Sequence, residues 1–145
     1  MRFLFKKICI ASDHAGFRLK EKIKKYLIKK KISLIDLGPN DLKSVDYPDY
    51  AKRVSNRIKL NKNEAGILVC GSGTGMAISA NKIKGIRAAV CYNKSSTSLS
   101  RQHNNANIIA IGSRLTKTKI ALKLISVFMS TKFEGGRHLR RVKKI

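Results

Sequence analysis

Acidic residues are scarce in this chain: 8 Asp and Glu stand against 32 Lys and Arg among 145 residues, a formal charge of +24. So large a basic excess makes nucleic acid the first partner to consider. Aromatic residues are scarce too, at 6%, and no aromatic–basic motif suited to stacking bases is present. The lysines are spread over nearly every segment, so the charge reads mainly as solvated helix faces, with weak polyanion binding as a by-product and no specific nucleic-acid partner. Cysteine is limited to Cys9, Cys70 and Cys91, without Cys-x-x-Cys spacing and all at strand-like positions. That argues against a disulfide framework or a zinc site and for reduced thiols. No apolar run reaches membrane-spanning length, and the segment 1–7 is too short in apolar residues for a secretory signal, so a cytoplasmic location is expected. Repeats, low-complexity segments and linkers are missing as well. The length suits one domain with a real core, and 43% hydrophobic residues argue against disorder.

The most informative stretch present is 67–82. Ile67 to Val69 is an apolar run bounded by turn formers, which predicts a buried strand. Gly71, Gly73 and Gly75 then alternate with Ser72 and Thr74, and good helix formers follow from Met76. Glycines let backbone approach a ligand closely, and a helix start offers unpaired N–H groups with a positive dipole end behind them. The loop therefore suits an anion or an oxyanion. It lacks the Gly-Lys-Ser/Thr of a phosphate-binding loop and the glycine spacing of a dinucleotide fingerprint. Cys70 sits beside those donors, where a thiolate is the favoured form. A buried small cysteine before a tight turn is the plainer alternative.

Taken in order, 7–11 predicts a first strand that ends in Ser12-Asp13-His14-Ala15-Gly16. An amphipathic helix over 17–30 follows, with Phe17, Leu19, Ile23, Leu27 and Ile28 on one face. Asp13 and His14 then lie in a turn at a strand's carboxyl end, although Asp13 also suits a helix cap and His14 a solvated position. A second strand over 32–37 leads to a turn at Gly38-Pro39-Asn40. The run 46–50 opens a further helix, capped by Asp46 with Pro48 in its first turn and Ala51, Val54 and Ile58 inward. After the glycine loop come helix 76–84, a strand over 85–91 and a short polar helix over 95–105. A polar helix in an apolar α/β pattern faces water, a ligand or a partner, which singles out His103-Asn104. A fifth strand, 106–111, ends at Gly112-Ser113-Arg114, and helix 116–131 presents Ile120, Leu124, Ile125 and Phe128. The last residues, 133–145, form a basic arm. There Arg137 and Arg141, four apart, share a helix face and suit a phosphate clamp, with a frayed terminus as the alternative.

This alternation predicts one three-layer α/β/α sandwich, a five-stranded, mainly parallel Rossmann-like sheet with helices on both faces. Asp13 and His14, the 70–75 run, and Arg114 all fall at strand carboxyl ends, where ligands bind in open α/β sheets.

Those residues resemble the type B ribose-5-phosphate isomerases of the wider ribose, allose and galactose phosphate isomerase family. The matching runs are Ser-Asp-His-Ala-Gly-Phe at 12–17, Asp-Tyr-Pro at 46–48, Cys-Gly-Ser-Gly-Thr-Gly at 70–75 and Ala-Asn-Lys at 80–82. Gly-Ile-Arg-Ala at 85–88, Ser-Arg-Gln-His-Asn at 100–104 and Glu-Gly-Gly-Arg-His at 134–138 complete the set. The resemblance implies an aldose–ketose isomerase that converts ribose 5-phosphate to ribulose 5-phosphate, a step of the pentose phosphate pathway, with no metal or organic cofactor. It implies Cys70 as the base moving a proton between C1 and C2, and Gly71, Ser72, Gly73, Thr74 and Gly75 as the cradle of the enediolate oxygen. His103 is then the ring-opening residue and Asn104 its binding neighbour. Asp13, His14 and Tyr47 contact the substrate, and Arg137 and Arg141, helped by Arg114 and His138, hold the phosphate. It also implies a homodimer or homotetramer whose sites combine residues of two subunits.

Some relatives carry a glutamate base at the position of Met76; this chain has Cys70 instead and falls with the cysteine type. The extreme basic charge and a tail that stops soon after Arg141 depart from the family pattern. The same chemistry on allose or galactose 6-phosphate is the nearest alternative, and a basic nucleic-acid binder the more distant one.

Overall fold

The helix and strand periodicities of the sequence become eleven elements in the computed structural model, which describes residues 2–145. In order they are β1 (Lys7–Ser12), α1 (Phe17–Lys29), β2 (Ser33–Asp36), α2 (Tyr47–Leu60), β3 (Ala65–Cys70) and α3 (Thr74–Asn81). There follow β4 (Ala88–Val90), α4 (Lys94–Gln102), β5 (Ile108–Gly112), α5 (Thr118–Ser130) and α6 (Gly136–Val142). The strands form one sheet in the order β2-β1-β3-β5-β4, and every pairing in it is parallel. No helix among the described residues is long and apolar enough to cross a membrane.

Strand side chains alternate between two apolar layers. Ile8, Ile10, Ile67, Val69, Ile109 and Ile111 pack against Leu19, Ile23 and Leu27 of α1 and Leu124, Ile125 and Phe128 of α5. Cys9, Ala11, Leu68, Cys70, Ile108 and Ala110 face the other way, toward Ala51, Val54 and Ile58 of α2 and Met76, Ala77 and Ala80 of α3. Both sheet faces are thus covered, as a parallel sheet requires. The helix stripes are narrower than their sequence suggests. Ile28 is exposed at the end of α1, and Ile120 is exposed on α5, where Ala121 takes the inward position. Both lie at the margin of a stripe that curves away with the 3.6-residue period.

Two expected caps resolve differently. Asp13 Oδ1 accepts the Gly16 N–H at 2.9 Å and closes the turn before α1. The carboxylate of Asp46 caps nothing; its backbone carbonyl accepts the Asp49 N–H at 3.2 Å, with Pro48 in the first turn as expected. The polar helix α4 also turns part of its polarity inward. Asn93 and Ser96 form a capping box, and the buried Thr97 and Ser100 hydroxyls bond back to the carbonyls of Asn93 and Thr97. Those hydroxyls are satisfied within the helix, so part of the polarity that suggested a ligand face is internal.

Lys20 is fully buried in α1, and its ammonium reaches both Asp36 oxygens at 2.8 and 2.9 Å and the Pro39 carbonyl. That pair ties α1 to the end of β2. At the centre of the sheet, β1 and β3 are neighbours, yet α1 leaves to one face and α3 to the other. The two outgoing loops diverge and open a crevice at the strand carboxyl ends.

Candidate active site

β3 ends at Cys70, whose side chain belongs to the α2–α3 layer and is 4% exposed. The chain then reverses into α3 through Gly71-Ser72-Gly73. Gly73 makes this possible: its φ is +80°, and an added Cβ would lie 3.0 Å from the Ile111 carbonyl carbon on β5. Reversal brings the Gly73 N–H to 3.1 Å from Cys70 Sγ, which fixes the sulfur against the loop. The first intrahelical bond is Ala77 N–H to Gly73 O, so the N–H groups at 74–76 have no partner within the helix. Thr74 N–H goes to Ser72 Oγ at 3.2 Å. Gly75, whose N–H also has no partner within the helix, lines the cavity at this point, where an oxyanion would need a donor.

A cavity of about 410 Å³ opens over the loop, lined by Asp13, Tyr47, Cys70, Gly71, Ser72, Gly75, Arg114 and Leu115. Tyr47 comes from the start of α2, and its ring lies so close to α3 that a Cβ on Gly75 would sit 2.7 Å from it. Arg114, just past β5, lays its guanidinium over Gly71, while its own N–H bonds the Gly71 carbonyl at 3.0 Å. Ser113 Oγ donates to the Ala15 carbonyl at 2.9 Å and joins this loop to the one after β1. His14 turns aside: its Nδ1 accepts the Val45 N–H at 3.2 Å, leaving Nε2 to carry the proton. Burial pushes Cys9 up to about 12 and Cys91 above its ordinary value, so both remain protonated packing residues.

The other expected site residues gather elsewhere. His103 caps the end of α4, and its ring stacks on His138 of α6 with centroids 4.1 Å apart. The arm at 133–145 is docked rather than frayed, since Glu134 N–H donates to the Gln102 carbonyl at 3.0 Å. Arg137 and Arg141 are exposed on α6 as the i, i+4 pair, and neither enters an ion pair among the described residues. Asn104 lines a separate cavity of about 320 Å³ with Arg87 and Ile145. Within one chain, then, the Cys70 cavity and the histidine–arginine cluster are distinct.

Sequence reasoning passed over Glu134, whose Oε2 lies 3.9 Å from His103 Nε2 and 3.6 Å from His138 Nε2. The signal was there: Glu134 stands four residues before His138, within a matched run. These three groups hold their ligand atoms within 4.8 Å of one another. The imidazoles are nearly parallel, at 9°, so their in-plane lone pairs run side by side and do not converge on one ion. Desolvation, with the charges of His103, Arg137 and Arg141, lowers His138 despite the opposing Glu134, so this ring is mostly neutral at pH 7.

Residues 8–145 match the family model described as Ribose/Galactose Isomerase. The ribose-5-phosphate isomerase B of Escherichia coli is 41% identical over 140 residues, which are 97% of this chain and 94% of that protein. The crystal structure of a ribose 5-phosphate isomerase from Thermotoga maritima superposes with a TM-score of 0.93 at 51% identity, covering 95% of each chain. The ribose-5-phosphate isomerase B of Mycoplasma genitalium, solved with bound ribulose-5-phosphate, gives a TM-score of 0.93 at 41% identity over 99% of this chain and 95% of that one.

Proposed function

The chain belongs to the ribose/galactose isomerase family, and from that premise we infer that it interconverts D-ribose 5-phosphate and D-ribulose 5-phosphate. The observation that carries the chemistry is Cys70, held by Gly73 N–H at 3.1 Å and lining the cavity with Asp13, Tyr47 and Arg114. Cys70 takes the proton from C2 of the open-chain aldose and returns it to C1, while the O2 hydroxyl proton passes to O1. Negative charge grows on the enediolate oxygen between these steps and is met by the N–H groups of the 71–75 loop. Donors placed where charge develops are worth about 3–4 kcal/mol each. The scheme is metal-free and needs no organic cofactor.

His103 opens the furanose ring beside Asn104, and Arg137 and Arg141 grip the phosphate with help from His138. These groups reach Cys70 only if a second copy supplies them, so the working enzyme is a symmetric homo-oligomer, at least a dimer, with shared sites. Support comes from exposed side chains that a soluble monomer would gain by covering: Leu115 at the cavity rim, Leu99 on α4 and Leu139 on α6, at 75%, 45% and 42% exposure. The phosphate end supplies binding energy remote from C1 and C2 and so fixes the reacting carbons. A cytoplasmic enzyme fits the free thiols.

The family spans ribose and galactose isomerases, so the sugar is tested directly. Turnover is measured on ribose 5-phosphate, allose 6-phosphate and galactose 6-phosphate under one set of conditions. The expected result is the highest kcat/KM for the pentose, with a margin of about 10- to 200-fold, the scale of a one-carbon difference. Preference for a hexose phosphate would move the substrate and keep the mechanism.

A further inference from the structure

A third cavity, of about 510 Å³, lies at the opposite edge of the sheet and is lined by Lys59, Lys62, Glu64, Arg87, Arg101 and Asn105, among others. Glu64 precedes β3, Arg87 precedes β4 and Asn105 precedes β5, so the cavity sits at strand amino ends, away from Cys70. Four of these side chains are cationic and one is acidic. Glu64 is already engaged: Arg57 bonds its two oxygens at 2.7 and 2.8 Å, and Lys7 stands 3.4 Å away.

Arg101 is the unusual member, a guanidinium only 5% exposed. Its Nε donates to the Thr131 carbonyl, and its Nη1 to Asn105 Oδ1 and the Ala106 carbonyl. None of these bonds uses Nη2, and no carboxylate lies within 4.0 Å of Arg101 or Arg87 among the described residues. Arg87 spends its Nε on the Asn104 and Asn105 carbonyls. Burial, and then the nearby Arg87 charge, pushes Arg101 down to about 10, and burial lowers Arg87 as well. Two partly desolvated like charges beside an open cavity are costly without a counter-ion, whereas planar guanidinium forks match a phosphate oxygen pair.

We propose that this cavity is a second anion site, separate from the catalytic one, that takes the phosphate group of a small ligand between Arg87 and Arg101, with Lys59 and Lys62 at its mouth. Its volume suits a small molecule and not a polymer. Because Arg87 also holds the Asn104 and Asn105 carbonyls, an occupant bears on the turn that follows His103.

The test is an amide NMR titration of the full-length protein with inorganic phosphate and, separately, with glycerol phosphate. Saturable shifts are expected at the amides of Arg87, Asn105 and Asn107, with a binding constant distinct from that of the 136–142 amides of α6, which carries Arg137 and Arg141. Tighter binding of glycerol phosphate would identify a phosphomonoester as the ligand, and equal binding would identify free phosphate. Arg87→Gln is expected to weaken the amino-end response at least about tenfold, the loss of one charge-assisted hydrogen bond. The exposed pair Lys59→Gln/Lys62→Gln, which leaves the interior intact, weakens it severalfold with the α6 response unchanged. Amino-end amides that do not shift or do not saturate in the wild type, or that respond alike in wild type and both variants, would overturn the proposal.

Discussion

At the scale of the residue, the cavity is shaped by what is left out of it. Gly75 has no Cβ, and the Tyr47 ring occupies the space one would fill, 2.7 Å away. Gly75→Ala is therefore expected to push the exposed Tyr47 ring off the helix start. Helix propensity favours Ala over Gly by about 1 kcal/mol, so the melting temperature should hold or rise. Substrate positioning should suffer instead, with kcat/KM down about tenfold, which is about 1.4 kcal/mol. Steady-state kinetics beside a thermal melt separate the two effects. A variant that melts early with kcat/KM intact would mean that Tyr47 only packs.

At the scale of the element, the contact between α1 and β2 rests on a buried charge. Burial would raise the Asp36 carboxyl, but hydrogen bonds from Lys20 and Lys24 and the Gly38 N–H prevail and hold it below its usual range. A carboxyl with a depressed folded value contributes stability that is complete above its unfolded value, near pH 4, and is lost as pH falls through the lower folded value. Wild-type melting temperature should thus decline steeply below about pH 4, partly through Asp36. Asp36→Asn leaves the buried Lys20 with only the Pro39 carbonyl and Glu21, 3.7 Å away, and should cost about 3–5 kcal/mol at neutral pH. Its melting temperature should then depend less on acid than the wild type's. Equal acid sensitivity in both proteins would show that the pair does not set this limb.

The same elements differ in how plainly the amino-acid sequence announces them. Five strands and their helices could be read because apolar periodicity and glycine turns are local signals. The loop at the end of β3 was equally legible, since Cys70 through Gly75 are contiguous. Glu134 was missed because its importance depends on stacking between α4 and α6, which no local pattern encodes. The inward polarity of α4 was hidden for a related reason: Thr97 and Ser100 look exposed in sequence, yet satisfy their hydroxyls inside their own helix. Asp46 resembles a cap, but the backbone at that turn takes the bond instead. For Arg137 and Arg141 the i, i+4 spacing already suggested a phosphate clamp, and only the resemblance suggested that it serves a site shared with a second chain.

At the scale of the molecule, the proposed mechanism makes a strong demand: sulfur and cradle on one copy would have to meet His103, Arg137 and Arg141 of another. Mixing tests this. Cys70→Ala and Arg137→Ala proteins are each expected to be nearly inactive. After subunit exchange, a heterodimer has one doubly altered site and one intact site, so random pairing restores about a quarter of wild-type activity. No recovery after verified exchange would mean that each chain builds its own site. The +24 charge enters this account as solvated surface and, at the amino edge, as an anion site. Proton transfer by Cys70 has a direct test, in which wild type and Cys70→Ala are compared on ribose 5-phosphate with chelator present throughout. Wild-type turnover should be undiminished by chelator, and the variant should lose at least about 1000-fold, which is about 4 kcal/mol of barrier. Full activity in Cys70→Ala would contradict that role for Cys70, and the base would have to be sought among Asp13 and the other side chains of the cavity.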